Sequence, residues 1–161
     1  MGKRGRLRIS VLRILYRVAW RGLQLRSLLL PGRGRGVKCL ITHRGSLLLV
    51  RHSYGERDTW YVPGGRMHRA ESPLATAERE MREELGVEGL HWRELATWDL
   101  RLERIAVRVT ALHAEIEDPS AVRLDPVELQ EAGWFRPSAL PRPLGSEVRA
   151  LIALLGEGPK N

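Results

Sequence analysis

Apolar and polar positions along the 161-residue chain change period several times, and each change marks an element. Over residues 9–25, Arg13, Arg17 and Arg21 recur one turn apart. Val11, Leu12, Ile14, Leu15, Val18, Ala19 and Leu23 cover the other side, the pattern of an amphipathic helix. The arginines interrupt every apolar run well short of a membrane span, and they break any would-be signal-peptide core. "PGRGRG" at 31–36 is rich in breakers and reads as a linker. Beyond it, "VKCLITH" (37–43) and "LLLVRHS" (47–53) flank Arg44-Gly45-Ser46, which predicts a hairpin. "PGG" at 63–65 reads as a second turn. Ser72-Pro73 opens a helix that runs to Leu85, with Gly86 as its stop. Residues 92–100 and 104–116 read as strands, with Ile105, Val107 and Val109 alternating against polar or small neighbours. "DPSAVRLDP" is a loop, "GWFR" (133–136) a short strand, and residues 144–156 a closing helix. Several strands with two helices in the body make an α+β or α/β/α layered domain. The expected organisation is an arm over 1–36, one domain over 37–156, and a tail over 157–161.

Charge sharpens the division. Residues 1–51 hold 13 Lys or Arg and no acid, whereas the remaining 110 residues carry 14 basic and 19 acidic groups. The net charge of +8 therefore belongs to the arm, and the body is mildly acidic. A net-negative body disfavours binding a long polyanion across a broad face, so no stable nucleic-acid partner is expected. The arm suits an anionic membrane surface, with Tyr16 and Trp20 near the boundary of its apolar face. Alternatively that face docks on the body or pairs two copies as a homodimer. The single cysteine, Cys39, excludes an internal disulfide framework, and the five scattered histidines show no zinc-type cluster. A cytoplasmic protein, peripheral at a membrane through its arm, is the expectation.

The stretch from Tyr61 to Val87 holds five glutamates. At about 100° per residue, with Glu80 at zero, Glu83 falls near −60° and Glu84 near +40°. Leu74, Ala77, Met81 and Leu85 form the apolar stripe beside them. Two explanations fit the helix alone. Glu80, Glu83 and Glu84 are either a charged face balanced by Arg79 and Arg82, or partly buried carboxylates that share a cation. Oxygen-only ligands of this kind suit Mg²⁺, with Mn²⁺ as a substitute.

The surroundings favour the second. Gly65, Glu71 and the run Arg79-Glu80-Met81-Arg82-Glu83-Glu84-Leu85-Gly86-Val87 match every specified position of G-x5-E-x7-R-E-U-x-E-E-x-G-U, with U aliphatic. A chance match in this chain is on the order of 10⁻⁷. The region 65–87 resembles the Nudix box, and the likeness extends over roughly residues 37–155. That resemblance implies a Nudix-type α/β/α sandwich with a mixed sheet. It implies a metal-dependent pyrophosphohydrolase that cleaves a phosphoanhydride of a nucleoside diphosphate linked to another moiety. On matching positions it makes Glu80, Glu83, Glu84 and the Gly64 carbonyl the metal ligands, with Glu71 and Arg79 tying loop to helix. Glu84 is the first choice of general base, with Glu128 or Glu131 in the late loop as second. Arg51, with His52, and Arg66 are candidates for phosphate contact; Arg66, His68 and Arg69 make a basic loop. Trp60 reads as core, although it could stack on a base. Two other readings are a silent nucleotide- or RNA-end-binding module and an RNA 5′-end pyrophosphohydrolase. The intact Glu71, Arg79, Glu80, Glu83 and Glu84 favour the enzyme over the silent module, and the net-negative body favours a small nucleotide over an RNA end.

Overall fold

The computed structural model describes residues 32–102 and 105–156. The amphipathic helix expected over 9–25 and the tail lie outside the described residues. So do the membrane and homodimer expectations that rest on the arm.

Strand β1 (Gly32–His43) turns through Arg44-Gly45 into β2 (Ser46–His52), with His43 opposite Ser46. Arg44 and Gly45 have φ of 46° and 77°, the left-handed pair that a tight primed hairpin turn requires. The two strands pair only at Thr42–Leu47 and His43–Ser46 and then splay. The gap does not stay open, because unpaired buried amides are costly. Residues 60–67 enter it as a wedge. The amides of Val37 and Cys39 donate to the Gly65 and Pro63 carbonyls at 2.9 and 2.8 Å, and Tyr61 pairs with Val50 in both directions at 2.9 Å. "PGG" is therefore not a free turn but an extended segment knitted between two strands.

β1 continues upstream of the expected boundary at 37. Residues from Gly32 to Thr42 pair in parallel with β4 (Ile105–Glu115), from Gly32–Ile105 to Thr42–Glu115. This corrects the linker reading of 31–36 for residues 32–36. Glycine and arginine serve as strand residues there because β4 supplies a full ladder of partners. Close approach also favours small residues: a Cβ on Gly34 would lie 3.2 Å from Val107 Cγ2, and one on Gly36 would lie 3.0 Å from the Gly65 carbonyl oxygen. Antiparallel β3 (Arg93–Leu102) flanks β4, and β5 (Leu129–Phe135) flanks β2, giving the mixed order β3-β4-β1-β2-β5.

Helix α1 (Pro73–Leu85) crosses between the parallel strands. Ser72 caps it by accepting from the Ala75 amide, Pro73 occupies the first turn, and Gly86 closes it at φ 64°, as the sequence predicts. Its buried face is Thr76, Ala77, Glu80, Met81, Glu84 and Leu85. Leu74, expected in the apolar stripe, is instead exposed, because it sits in the first turn beyond the edge of the sheet contact. Helix α2 (Val148–Gly156) starts four residues later than expected. Upstream of it the Gly145 amide bonds the Trp60 carbonyl at 2.8 Å, which holds that segment extended against the wedge.

The alternation along β1 and β2 builds two cores. Val37, Cys39, Ile41, Leu48 and Val50 pack under α1 with Met81 and Leu85; Leu40, Leu47, Leu49, Trp60 and Val62 pack with Val148 and Leu151 of α2. The result is the expected α/β/α sandwich. Trp60 is core, edge-on to Phe135 at 4.9 Å, and its ring is not free to stack on a base.

Candidate active site

Two glutamates one turn apart occupy the buried face of α1. Glu80 retains 8% and Glu84 2% of its accessible surface. The wedge covers them. Gly64 lies at φ 144°, and a Cβ there would sit 2.3 Å from the Val37 carbonyl oxygen. The Gly64 amide donates to the Glu84 carboxylate. A Cβ on Gly65 would meet the Glu80 carboxylate at 2.2 Å. Glycine is needed at both positions so that backbone can approach carboxylate this closely.

Arg79 ties loop to helix. Its Nε and Nη2 donate to the two Glu71 carboxylate oxygens at 2.9 and 3.1 Å, its Nη1 donates to Glu80 and Glu83 at 2.8 and 3.2 Å, and its Nη2 donates to the Arg66 carbonyl at 3.0 Å. Glu71 also accepts from the His68 amide and the Thr76 hydroxyl. The Arg79 bonds, followed by the His68 amide, bring its pKa down to about 2, so it stays ionised. The fork geometry of arginine suits this bridging, which a lysine could not reproduce.

The buried pair is electrostatically unsatisfied. Burial raises the pKa of Glu80, with Arg79 opposing the shift. Glu84 is raised well above the usual carboxylate range by burial, then by the charges of Glu80 and Glu128. Its Oε2 is buried with no hydrogen-bond partner. An orphaned carboxylate oxygen beside a second buried carboxylate fits a divalent cation, and carboxylate oxygens are hard donors of the kind Mg²⁺ and Mn²⁺ accept. Among the described residues no three acidic, histidine or cysteine side chains already converge as a metal cluster. The reason is visible: Glu83, expected to be partly buried, is half-exposed and bonded to Arg79, which also draws Glu80 toward itself. Cys39 lies in this neighbourhood, but burial first and the Glu84 and Glu80 charges next push its thiol up, leaving it a protonated core residue.

The other expected residues divide. Arg51 and Glu131 bond each other at 2.7 Å, and Arg51 also holds Asp58 at 2.7 Å and the Arg57 carbonyl at 3.1 Å. These bonds clamp the loop 53–58 to β5. Arg66, His68 and Arg69 are exposed on the loop before α1, free of the core. Glu128 stands close enough for its charge to be felt at Glu80 and Glu84. Its loop is fixed to α1, since the amides of Arg123 and Asp125 donate to the Leu85 and Glu84 carbonyls at 2.7 and 2.8 Å. Sequence reasoning missed Tyr54 altogether. The half-buried phenol feels Glu84, Glu128 and Glu80, and no periodicity could have flagged it, because β2 ends at His52. A separate cavity of about 530 Å³, lined by His43, Arg44, His91 and Arg93 among others, opens at the far end of β1.

A NUDIX domain profile matches residues 32–155. Over 85 residues the chain is 33% identical to an ADP-ribose pyrophosphatase of Mycobacterium tuberculosis, an alignment spanning 44% of this chain and 41% of the relative. The chain thus covers well under two-thirds of that protein. The fold is similar to a MutT NUDIX hydrolase from Burkholderia pseudomallei, with TM-score 0.68, 24% identity, and coverage of 76% of this chain and 98% of that one. It is also similar to a C. elegans Ap4A hydrolase in a binary complex, with TM-score 0.61, 19% identity, and coverage of 76% and 95%. At these identities the structural likeness speaks of fold. With the profile matching most of the sequence around the Gly65, Glu71, Arg79, Glu80, Glu83 and Glu84 arrangement, the chain belongs to the NUDIX domain family.

Proposed function

We propose that this chain is a divalent-metal-dependent hydrolase that cleaves the phosphoanhydride of a nucleoside diphosphate joined to a second group, by attack of water on phosphorus. The observation that carries the reading is the buried pair Glu80 and Glu84, with Glu84 Oε2 unbonded. Two desolvated carboxylates side by side are expensive without a positive partner. Glu80, Glu84, Glu83 and the Gly64 carbonyl would hold Mg²⁺ or Mn²⁺. The ion would neutralise phosphate charge and make bound water more acidic.

The chain's own groups do the rest. Arg79 and Glu71 fix the loop against α1, so the carboxylates are oriented before substrate arrives. Arg66 and Arg69 present positive charge on the exposed loop before α1, with His68 beside them as a polar contact, for two or three phosphates. Glu84 combines a raised proton affinity with an oxygen that has no partner, which suits the proton acceptor for the attacking water. Glu128 is the second choice. The name of the Mycobacterium tuberculosis relative supports a nucleoside diphosphate derivative as the substrate class. The acidic body supports a small nucleotide over an RNA 5′ end.

The test is a product-release screen over nucleotide sugars, dinucleotides, nucleoside triphosphates and triphosphorylated RNA, with Mg²⁺ and with excess EDTA. Turnover of a small nucleotide that EDTA abolishes and Glu80→Gln suppresses is expected. Binding without turnover would favour a silent module, and preference for RNA ends over every small nucleotide would overturn the substrate class.

A further inference from the structure

Strand β1 sends the Arg35 side chain to the loop before α1. Val37, Cys39 and Ile41 pack beneath α1, and strand alternation places Arg35 on the same face, two residues upstream of Val37. Its Nη2 donates to the Glu71 carbonyl at 3.0 Å, and its own carbonyl accepts from the Met67 amide at 2.9 Å. One residue thus holds both ends of the segment 67–71. The segment needs holding. Ala70 lies at φ 71°, a left-handed conformation that is costly for a residue with a Cβ and persists only where its surroundings fix it. His68, Arg69 and Ala70 are exposed, so core packing does not supply that support. Arg79 grips Glu71 from the helix through its carboxylate, whereas Arg35 grips it from the sheet through its carbonyl. The position of that carboxylate sets the Arg79 fork, and the fork in turn holds Glu80 at 2.8 Å.

We propose that Arg35 is a positioning residue for the hydrolysis: by pinning the Glu71 carbonyl it fixes the segment 67–71 and, through Glu71 and Arg79, the setting of Glu80. This rests on the hydrolase reading above. Arg35 stands outside the G-x5-E-x7-R-E spacing, in a stretch whose composition suggests a linker, so only its pairing in β1 brings it to the loop. The bond to Glu71 comes from one nitrogen of a guanidinium that carries five N–H groups. An ammonium can therefore replace it, which is not so for the fork of Arg79.

The test compares wild type with Arg35→Met, which keeps most of the side-chain length and removes the donor, and with Arg35→Lys, which keeps a donor. Steady-state kinetics with Mn²⁺ use the nucleotide sugars, dinucleotides and nucleoside triphosphates of the screen, and amide hydrogen exchange and melting are measured in parallel. Arg35→Met should lower kcat about 3- to 10-fold, the scale of one hydrogen bond, with KM nearly unchanged. The His68 amide, bonded to the Glu71 carboxylate at 2.8 Å, should exchange faster by a similar factor, while the amides of 77–85 keep their rates. Arg35→Lys should recover most of both. A raised KM with unchanged kcat would make Arg35 a substrate contact, and a lower melting temperature with unchanged kcat and KM would make it structural; either result overturns the proposal. So does an Arg35→Lys protein as slow as Arg35→Met. An active wild type matched in every readout by Arg35→Met overturns the role alone, whereas a wild type that hydrolyses none of these compounds overturns the hydrolase reading and the role together.

Discussion

Gly65→Ala separates damage to the site from damage to the fold. An alanine Cβ at 65 would lie 2.2 Å from Glu80 Cδ and Oε1, against the 3.4 Å of ordinary contact, so one partner must retreat by more than an ångström. The backbone cannot move easily, because the Gly65 carbonyl accepts from Val37 at 2.9 Å and Arg66 bridges Gly36. The carboxylate can, since it ends a flexible side chain. The strain is therefore relieved mostly by pushing Glu80 off its 2.8 Å bond with Arg79. The stability cost should stay near the low end of overpacking, about 1 kcal/mol, which is a melting shift of roughly 2–4 °C at this chain length. Mn²⁺ affinity and turnover should fall at least about tenfold, because a ligand displaced by an ångström no longer matches the ion. Gly64→Ala makes the contrast: its Cβ would meet a backbone oxygen at 2.3 Å with φ at 144°, and no side chain can yield. That variant should lose several times more stability. Calorimetric unfolding and Mn²⁺ titration of both variants check the argument. A Gly65→Ala protein with wild-type Mn²⁺ affinity and turnover would refute it.

Arg79→Lys should lower turnover about 100-fold or more while leaving the helix formed, because one ammonium cannot bridge Glu71, Glu80 and the Arg66 carbonyl together; kinetics and circular dichroism decide it. Glu71 has its pKa lowered from 4.5 to about 2, so the loop tie it provides is complete above about 4.5 and is lost as pH falls toward 2. Glu71→Gln should flatten acid unfolding in that window, and an unchanged acid limb counts against the tie. A chain starting at Gly32 should keep its turnover number, whereas one starting at Val37 loses five β1–β4 pairs and should melt several degrees lower. Equal melting of the two would show that the Gly32–Gly36 extension of the strand carries no weight.

Much of the architecture was legible because it is local. Ser72, Pro73 and Gly86 mark the ends of α1 by backbone chemistry, and Arg44-Gly45 marks the hairpin turn. The spacing of Gly65, Glu71, Arg79, Glu80 and Glu84 reads as one site because loop and helix bring those residues together. What was not legible depends on distant partners. Residues 32–36 look like a linker until β4 pairs with them, and "PGG" looks like a turn until the splayed hairpin opens a place for it. A helical wheel puts Glu83 in the carboxylate arc, but only the position of Arg79 decides that it faces solvent. Arg51 and Glu131 carry signs that suit phosphate and base roles; their mutual bond, across 80 residues of sequence, is a pairing that no local pattern shows.

The central claim is that the buried pair Glu80 and Glu84 is held for a cation. Both pKa values are raised, so each glutamate contributes stability at low pH that is lost as pH rises through its folded pKa. The direct measurement is the melting temperature of wild type and Glu84→Gln at neutral and mildly acidic pH, each with EDTA and with saturating Mn²⁺. Without metal at neutral pH, Glu84→Gln should be the more stable, on the order of 1–4 kcal/mol, as when buried charge gives way to an uncharged group. Mn²⁺ at 100 times its dissociation constant should stabilise wild type by about 2.7 kcal/mol, or roughly 5–10 °C, and Glu84→Gln hardly at all. A metal-free Glu84→Gln protein less stable than wild type, together with no Mn²⁺ shift in wild type, would contradict the account.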